Sequence, residues 1–254
     1  MTETLNIMRH ESVFNPAEHK YPIHIIGAGA TGSRVFASII ELGMTDIHVY
    51  DPDTVEDHNL ANQIYMASDV GKSKVDGCAA FARNKLGIDQ LPDTMHFHRR
   101  PVTGAYIAEG GVLGGIVFIL TDTMESRKTI FNALINRISR ITTTSSDSVL
   151  ASRMPLLIIE TRMGSTHGSV FTINPFDKTA CDAWLTTLVD DTDEDNIELS
   201  PCGTTLSVGT TAALIANYAV WQMMQFFVDP LSLQPRLDFF FKPTLTIPSP
   251  AIAA

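Results

Sequence analysis

The sequence has few positive charges and few cysteines, and each shortage excludes a class of protein. Its 254 residues include 18 Lys and Arg against 28 Asp and Glu, a formal net charge of −10. Because a nucleic-acid groove needs clustered Lys and Arg, this acidic balance argues against a nucleic-acid partner. Only three cysteines occur, and none forms a CxxC pair. A four-cysteine zinc site and a disulfide framework are therefore excluded.

The sequence also lacks the features of a leader and of a membrane span. The N-terminal stretch MTETLNIMRHE is polar and includes acids, unlike a signal or transit peptide. The longest apolar stretch, residues 212–228, contains Asn217, Gln222 and Gln225 and no flanking Lys or Arg. This pattern favours a buried helix over a membrane span. Since an odd number of cysteines is typical of a reducing compartment, we expect a cytoplasmic protein without a membrane partner.

What is present is a globular composition with an α/β pattern. Hydrophobic residues make up 44% of the chain, enough for a packed core. The apolar run Ile23–Ile26 leads into Gly27-x-Gly29-x-x-Gly32, a helical segment follows, and residues 46–51 resemble a second strand. Strand, glycine turn, helix and strand make up half of a doubly wound, Rossmann-like sheet.

Later segments predict further elements of the same sheet. Helices are predicted at 69–86, 124–138 and 205–227, strands at 95–102, 115–120, 155–160 and 169–174, and a strand or hairpin at 237–247. Continuous apolar runs are typical of parallel strands covered on both faces. We therefore expect one mainly parallel α/β domain over residues 1–254, with a nucleotide-binding half at 23–140 and a second half at 155–250. The acidic segment 176–200 is expected to be a surface loop.

The glycine turn indicates a bound phosphate. In GxGxxG the glycines permit a tight turn and let a phosphate approach backbone N–H groups at a helix N-terminus. Asp51 follows about 20 positions later, at the end of the second strand, where it can bind a ribose hydroxyl. These features alone favour a nicotinamide-dependent dehydrogenase over an ATP enzyme, and they leave open a turn without a ligand.

Four ordered sequence blocks change that balance. After the glycine turn come DPDTVEDHNLANQ at 51–63, DVGKSKV at 69–75 and TDT at 121–123, followed by a helix that carries Arg127. In this order the sequence resembles the ThiF/MoeB/HesA family, the adenylating domain of ubiquitin-activating enzymes. Its closest resemblance is to the short phage- and plasmid-type ThiF proteins. Three later blocks extend the resemblance to most of the chain, at 160–164, 168–175 and 201–203.

The resemblance implies a ThiF/MoeB-type fold and an adenylyltransferase that uses ATP and Mg²⁺. Such enzymes activate a carboxylate, usually the C-terminal glycine of a ubiquitin-like protein, as an acyl-adenylate, and they release pyrophosphate. A ubiquitin-like or small carrier protein is therefore the implied partner. The resemblance also implies a homodimer in which an N-terminal arginine, here Arg9, reaches the ATP phosphates of the other copy. The other interpretation of Arg9 is a solvated surface residue.

The resemblance assigns nucleotide contacts to residues of the four blocks. Asp51 would hold the ribose and Asn59 a phosphate or sugar, while Lys74 would contact the phosphates. Asp122 would hold Mg²⁺. A fixed cation and a metal ion stabilise charge where it develops on phosphate, so Lys74 and Asp122 carry the predicted catalysis. The other predicted nucleotide-binding residues are Gly27, Gly29, Gly32, Asp53 and Asn62.

These side chains also have structural interpretations. Lys74 is compatible with an exposed helix lysine, Asp122 with a helix N-cap and Asp53 with a turn residue. Cys202 and, less favourably, Cys181 are thioester candidates, because some relatives transfer the activated chain to a cysteine. Cys202 precedes a predicted helix N-terminus, a setting that lowers a thiol pKa, whereas the acids around Cys181 raise the pKa of that thiol.

The chain departs from the family pattern at one position of the second block. The arginine of NLxRQ is Asn62 here, in NLANQ at 59–63. Asparagine supplies neither the charge nor the bidentate geometry of arginine. Either a nearby cation compensates, with Lys72 and Arg34 as candidates, or turnover is weak. The alternative functions are therefore a catalytically weak ThiF-like binding module and, less favoured, an NAD-dependent oxidoreductase.

Overall fold

The fold is built on one mixed sheet, seen in a computed structural model that describes residues 5–111, 113–144, 154–189 and 206–249. The strands are β1 Ile23–Ile26, β2 Ile47–Tyr50, β3 Met95–His98, β4 Gly115–Ile119, β5 Pro155–Met163, β6 His167–Ile173, β7 Arg236–Phe241 and β8 Thr244–Ser249. They lie in the order β3-β2-β1-β4-β5-β6-β7-β8. The first five strands in this order pair in parallel, and the pairs from β5 to β8 are antiparallel. The predicted mainly parallel α/β sheet is confirmed.

Helices cover both faces of this sheet. They are α1 Ala30–Glu41, α2 Lys74–Leu86, α3 Gly104–Ala108, α4 Met124–Thr144, α5 Lys178–Leu185 and α6 Gly209–Val228. Since side chains alternate along a strand, Ile25 of β1 packs with α1, α2 and α6, while its neighbour Ile26 packs with α3, α4 and α5. The sheet is thus doubly wound. Within the described ranges, no helix is long and apolar enough to cross a membrane.

Helix α2 begins later than the sequence predicts. Its first residue is Lys74 rather than Asp69, because the Ser73 hydroxyl oxygen accepts a hydrogen bond from the Asp76 N–H at 3.1 Å and caps the helix. Asp69 instead ends a short 3-10 turn. The consequence for the site is that Lys74 occupies a helix N-terminus, at the edge of the sheet, rather than the middle of a helix.

Part of the predicted acidic loop is helical, so the prediction of a surface loop over 176–200 is wrong for α5. Asp177 starts this helix, since its carboxylate accepts hydrogen bonds from two backbone N–H groups of the first turn. Cys181 and Trp184, three positions apart, then face the core and are 5% and 2% exposed. Residues 190–200 of the predicted loop lie outside the described residues.

Candidate functional site

The predicted site residues meet at the carboxyl ends of the parallel strands. β1 leads into the glycine turn, β2 into Asp51, and β4 into the loop that contains Asp122. Parallel strands end at the same edge of a sheet, so these three segments lie side by side. After β1 the chain crosses to one face and after β4 to the other. Such a switch point leaves a crevice, where ligands of α/β sheets commonly bind.

The three glycines of the turn differ in what surrounds them. Gly27 has φ +97°, and a Cβ there would lie 2.5 Å from the Leu120 carbonyl oxygen. A Cβ at Gly32 would lie 1.9 Å from the Gly27 carbonyl oxygen. At Gly29, in contrast, a Cβ would meet no heavy atom within 4 Å. Packing therefore requires glycine at 27 and 32, whereas Gly29 faces open space, the surface by which a ligand can approach the turn.

Asp51 holds the glycine turn and the following loop in place. It is 4% exposed. Its Oδ2 accepts a hydrogen bond from the Ala28 N–H at 2.7 Å, and its Oδ1 accepts one from the Asp53 N–H at 2.8 Å. Each carboxylate oxygen has a second lone pair, so the fold leaves acceptor capacity for a hydroxyl donor. Contact of Asp51 with a ribose stays a prediction.

Lys74 and Asp53 form an ion pair at this edge. The Lys74 Nζ lies 2.8 Å from the Asp53 Oδ2, and the backbone N–H of Lys74 donates to the Asp53 carbonyl. Lys74 is only 9% exposed, so the interpretation as an exposed helix lysine is wrong. The Asp53 side chain, in contrast, is 61% exposed. The lysine is thus fixed near the glycine turn with a partner that solvent or a ligand can reach.

Asn59 is largely committed to the local fold. It is 7% exposed and lies in the 3-10 turn Asp57–Ala61. Its Oδ1 accepts a hydrogen bond from the Glu56 N–H at 2.9 Å, while the Glu56 side chain accepts one from the Asn59 N–H. This reciprocal capping box fixes the shape of the turn. The predicted contact of Asn59 with a nucleotide remains untested.

Asn62 lies next to the start of α6. Its carbonyl oxygen accepts a hydrogen bond from the Arg34 Nε at 3.1 Å. Its side-chain Oδ1 is buried without a hydrogen-bond partner in the described part of the chain, as are the Gln63 Oε1 and the Ser207 Oγ. Buried polar atoms are normally paired, so unpaired ones call for an explanation. A polar ligand that meets them supplies one.

Asp122 lies in the loop between β4 and α4 and is exposed. The interpretation of Asp122 as the helix N-cap is wrong, because the Thr123 hydroxyl oxygen accepts the capping hydrogen bond, from the Ser126 N–H at 3.2 Å. Among the residues that the structure describes, no three His, Cys, Asp or Glu side chains are grouped so that they could hold a metal ion. Asp122 therefore brings a single carboxylate to this edge.

Arg9 is not brought to this edge by its own chain. It is exposed, and its neighbour His10 lies 3.4 Å, measured from Nε2, from the Leu42 carbonyl oxygen at the C-terminal end of α1. The glycine turn is at the N-terminal end of the same helix. At about 1.5 Å per residue, the length of α1 separates the two ends by roughly 18 Å. Arg9 can serve this site only from another copy of the chain.

The two thioester candidates differ in what can be said of them. Cys181 is 5% exposed, and burial, followed by the charges of Asp177 and Asp182, raises the pKa of its thiol to about 11. Because the reactive form of cysteine is the thiolate, this setting argues against Cys181 as a nucleophile. Cys202 lies outside the described residues.

Sequence reasoning missed a buried charged cluster beside the Asp122 loop. Glu160 of β5 is fully buried and accepts hydrogen bonds from Arg127 of α4, from Trp184 Nε1 at 3.1 Å and from Arg162 Nε at 3.1 Å. Arg127 also donates from its Nε to the Thr121 carbonyl oxygen at 2.8 Å. The cluster therefore ties α4, α5 and β5 to the residue that precedes Asp122. Arg127 and the 160–164 block are both recognisable in the sequence, but no sequence pattern near either of them predicts that they contact each other.

A row of histidines at the other end of the strands was also missed. His24, His48 and His96 each occupy the second position of a strand and pair in register across β1, β2 and β3. Neighbouring rings stack with centroids 4.5 Å apart. Burial, then repulsion by His96 and His98, lowers the pKa of His48 to about 4, and burial lowers that of His24 well below its usual value. The repeated apolar-His pattern was visible, but only the strand order makes it a row.

Comparison with known proteins bears on the fold and the family of this chain. The catalytic subunit of the NEDD8-activating enzyme E1 from Dictyostelium discoideum is 28% identical over 127 residues, 49% of this chain and 27% of that protein. The matched part is thus about a quarter of that relative. The microcin C7 biosynthetic enzyme MccB in complex with N-formylated MccA has a TM-score of 0.66 at 15% identity, over 91% of this chain and 65% of that one.

A second solved structure gives the same fold. MccB of E. coli with ATP has a TM-score of 0.63 at 13% identity, over 91% of this chain and 64% of that one. At such identities the likeness shows the fold alone. The family model described as ThiF family, however, matches residues 18–253. Since this match takes in all the strands and the edge at which the four sequence blocks meet, the chain belongs to the ThiF family.

Proposed function

We propose that this protein is an ATP- and Mg²⁺-dependent adenylyltransferase that activates the C-terminal carboxylate of a ubiquitin-like or small carrier protein. The product is an acyl-adenylate, and pyrophosphate is released. The observation that carries this proposal is the meeting of the glycine turn, the Lys74–Asp53 pair and Asp122 at one switch-point edge of a ThiF-family chain.

The residues at this edge fit a phosphate-bearing ligand. Gly29 leaves room for a phosphate to approach the start of α1. The buried amide oxygens of Asn62 and Gln63 have no donor, so these amides, once turned over to present NH₂, and the Ser207 hydroxyl could donate hydrogen bonds to a phosphate. Mg²⁺ is usually held by one or two carboxylates together with phosphates and water, so a single acid at Asp122 suits it. When bound, the metal ion would supply positive charge to the phosphate oxygens.

The reaction asks little covalent chemistry of the protein. A carboxylate oxygen of the substrate forms a bond to the α-phosphorus, and the bond between that phosphorus and the oxygen leading to the β-phosphate breaks. The electron pair leaves with pyrophosphate. No protein nucleophile takes part, so the protein acts by positioning the reactants and by stabilising negative charge. Lys74 is the cation to which we assign this role, and its partner Asp53 is 61% exposed on its side chain, so a phosphate can replace it.

Lys74 and Gly29 give the most direct binding test. Calorimetry of ATP with Mg²⁺ should show binding to the wild type and weaker binding to Lys74→Ala. Lys72→Ala is the matched control, because Lys72 is 53% exposed on its side chain and pairs with Asp69. Gly29→Ala should also weaken ATP binding. A Cβ at this position would contact no protein atom and would instead occupy the space proposed for the ligand. Binding of NADH in place of ATP would overturn the proposal in favour of an oxidoreductase.

The adenylation step needs a second measurement. Pyrophosphate exchange into ATP, driven by a ubiquitin-like protein that ends in glycine, should fail when the C-terminal carboxylate of that protein is amidated. Lys74→Ala and Asp122→Ala should each reduce exchange by about 10²–10³-fold, the usual effect of removing one charge-stabilising contact. Exchange that persists fully in both variants would contradict the assigned roles.

A catalytically weak ThiF-like binding module is the second candidate, and Asn62 is the observation that favours it. A module of this kind would bind ATP or a protein partner without releasing pyrophosphate. Retained ATP binding together with no exchange on any carboxylate tested would select it.

We also propose a homodimer, because Arg9 lies at the opposite end of α1 from its own site. The face of α6 that carries Leu214, Tyr218 and Trp221 is exposed and offers apolar surface for such contact. Light scattering should give twice the mass of the chain. Mixed dimers of Arg9→Ala and Lys74→Ala subunits should recover activity that neither variant has alone, since one of the two sites would then be intact.

A further inference from the structure

The positive charges around the glycine turn are not equivalent. Lys74 faces Asp53 at 2.8 Å, and Lys72 faces Asp69 at 3.4 Å. Arg127 is occupied by Glu160 and by backbone carbonyl groups. Among the described residues, no carboxylate lies within 4.0 Å of the Arg34 guanidinium, and its Nε donates a hydrogen bond to a backbone carbonyl.

Arg34 lies where three segments of the site converge. It is the fifth residue of α1, just after the glycine turn, and its Nε bonds the Asn62 carbonyl at 3.1 Å. Its Nη2 reaches the first residue of α6, since a Cβ at Gly209 would lie 3.1 Å from that nitrogen and 2.9 Å from the Ala61 carbonyl oxygen. Glycine at 209 therefore lets the guanidinium fit between the loop and the helix.

The surroundings of Arg34 are those of an anion site. Val208, which precedes α6, has no side-chain group that caps the helix, so no side chain at that position satisfies the first-turn N–H groups. The Ser207 Oγ beside it and the Asn62 and Gln63 amide oxygens are buried without hydrogen-bond partners in the described ranges. A hydroxyl donates as well as accepts, and an amide that turns over presents its NH₂. All three can therefore donate to an anion.

We propose that Arg34 binds the phosphates of the nucleotide and supplies the positive charge that Asn62 lacks. This assignment rests on the proposed ATP site and selects Arg34 over Lys72, whose charge is paired with Asp69. The Nε of Arg34 remains on the Asn62 carbonyl, and the two Nη groups face the phosphate. The fixed positive charge that the family pattern has in the 59–63 loop would thus lie in the second turn of α1 in this chain.

The test compares ATP with adenosine, because only ATP carries phosphates. By calorimetry, Arg34→Gln should weaken ATP binding on the order of 10–100-fold, the range for losing a charged hydrogen-bond partner. Adenosine binding should not change. Lys72→Gln is the matched control and should leave both affinities as they are. Equal weakening of ATP and adenosine, or no weakening of ATP, would overturn the proposal.

A relocated charge gives an independent check on folding. Asn62→Arg in the Arg34→Gln background should recover much of the ATP affinity, since the new guanidinium would lie next to the position that the Arg34 guanidinium occupied. An arginine that only braces the Asn62 carbonyl would not be replaced in this way, so the absence of recovery would count against the phosphate role. Unfolding midpoints for both variants would exclude a collapsed site.

The two proposals fail in different ways. If ATP binds and depends on Arg34 but no carboxylate drives pyrophosphate exchange, adenylation is wrong and the Arg34 assignment stands. If exchange proceeds and is unaffected in Arg34→Gln, adenylation stands and the Arg34 assignment is wrong.

Discussion

Two charged groups lie along the same edge of the sheet, and their surroundings are opposite. Lys74 and Asp53 form one pair, with Asp53 61% exposed on its side chain. Glu160 is fully buried and has Arg127, Arg162 and Trp184 as partners. The first pair keeps a carboxylate that water or a ligand can displace. The second has no oxygen to spare for a ligand.

This difference separates a charged pair that can exchange a partner for a ligand from a charged cluster that only stabilises the fold. Asp53 is 61% exposed on its side chain, so water or a ligand can replace it as the partner of Lys74, and opening this pair costs less than opening a fully buried one. A buried charge that loses its partner costs several kcal/mol, so the Glu160 cluster stays closed. The cluster therefore fixes the Asp122 loop through the Thr121 carbonyl, while the pair remains free to exchange its partner.

The largest expected effect is on the buried cluster. Glu160→Gln should lower the free energy of unfolding by about 3–5 kcal/mol, because it leaves Arg127 and Arg162 buried without a counter-charge. Urea unfolding at neutral pH measures this loss. Glu41→Gln, which breaks the exposed pair of Glu41 with Lys85, should cost about 0–1 kcal/mol. A loss below 1 kcal/mol for Glu160→Gln would remove the distinction between the two groups.

The row of histidines should make the folded protein less stable as the pH falls below neutral. The folded state lowers the pKa of His48 to about 4, whereas an unfolded histidine titrates near 6.5. Above pH 6.5 these histidines are neutral in both states and do not lower the free energy of unfolding. As the pH falls from 6.5 toward 4, the unfolded state binds protons that the folded state does not, and the free energy of unfolding falls by up to about 1.4 kcal/mol per pH unit for each such histidine. His24 and His98, whose pKa values are also lowered, add to this trend.

The row itself can be removed to check this. The groups around His48 are the rings of His24, His96, His98 and Tyr50, together with Asp46 at 3.8 Å. His48→Phe keeps a stacked ring without a titrating group. Urea midpoints at pH 7.5 and 5.5 should then differ less than in the wild type. An unchanged difference would show that other groups cause the pH dependence.

The smallest expected effect is on the Lys74–Asp53 pair. Asp53→Asn should lower the free energy of unfolding by about 1 kcal/mol, less than Glu160→Gln does, because the Asp53 side chain is 61% exposed and water or the new amide oxygen can partner the buried Lys74. Compared with Glu160→Gln, which makes the same chemical change, this variant isolates the effect of burial. A loss as large as that of Glu160→Gln would mean that the Lys74–Asp53 pair holds the fold.

Local patterns predicted the parts of the molecule that are formed by near neighbours. The glycine turn, β1, β2 and the position of Asp51 follow from residues within one βαβ unit. The Glu160 cluster did not follow, because its members come from three separate elements that only the sheet order brings together. Helix α5 was missed because the many acidic residues of this segment indicated a loop, whereas Cys181 and Trp184, three positions apart, pack its inner face against the core.

The placement of Arg9 shows the same limit in another form. Its distance along the sequence from the glycine turn is short, but α1 runs away from the turn and the N-terminal segment packs at its far end. Sequence proximity is therefore no guide to proximity in space here. The family pattern supplied the prediction of a second copy, and the direction of one helix explains why a second copy would be needed.

The unequal glycines of the turn bear on how this motif is interpreted in other chains. Gly27 and Gly32 are held by contacts within the protein, so a descendant that no longer bound a nucleotide would still keep them. Gly29 has no such constraint and would be free to drift once the ligand was lost. The middle glycine, rather than the whole motif, is thus the position whose retention records continued use of the site.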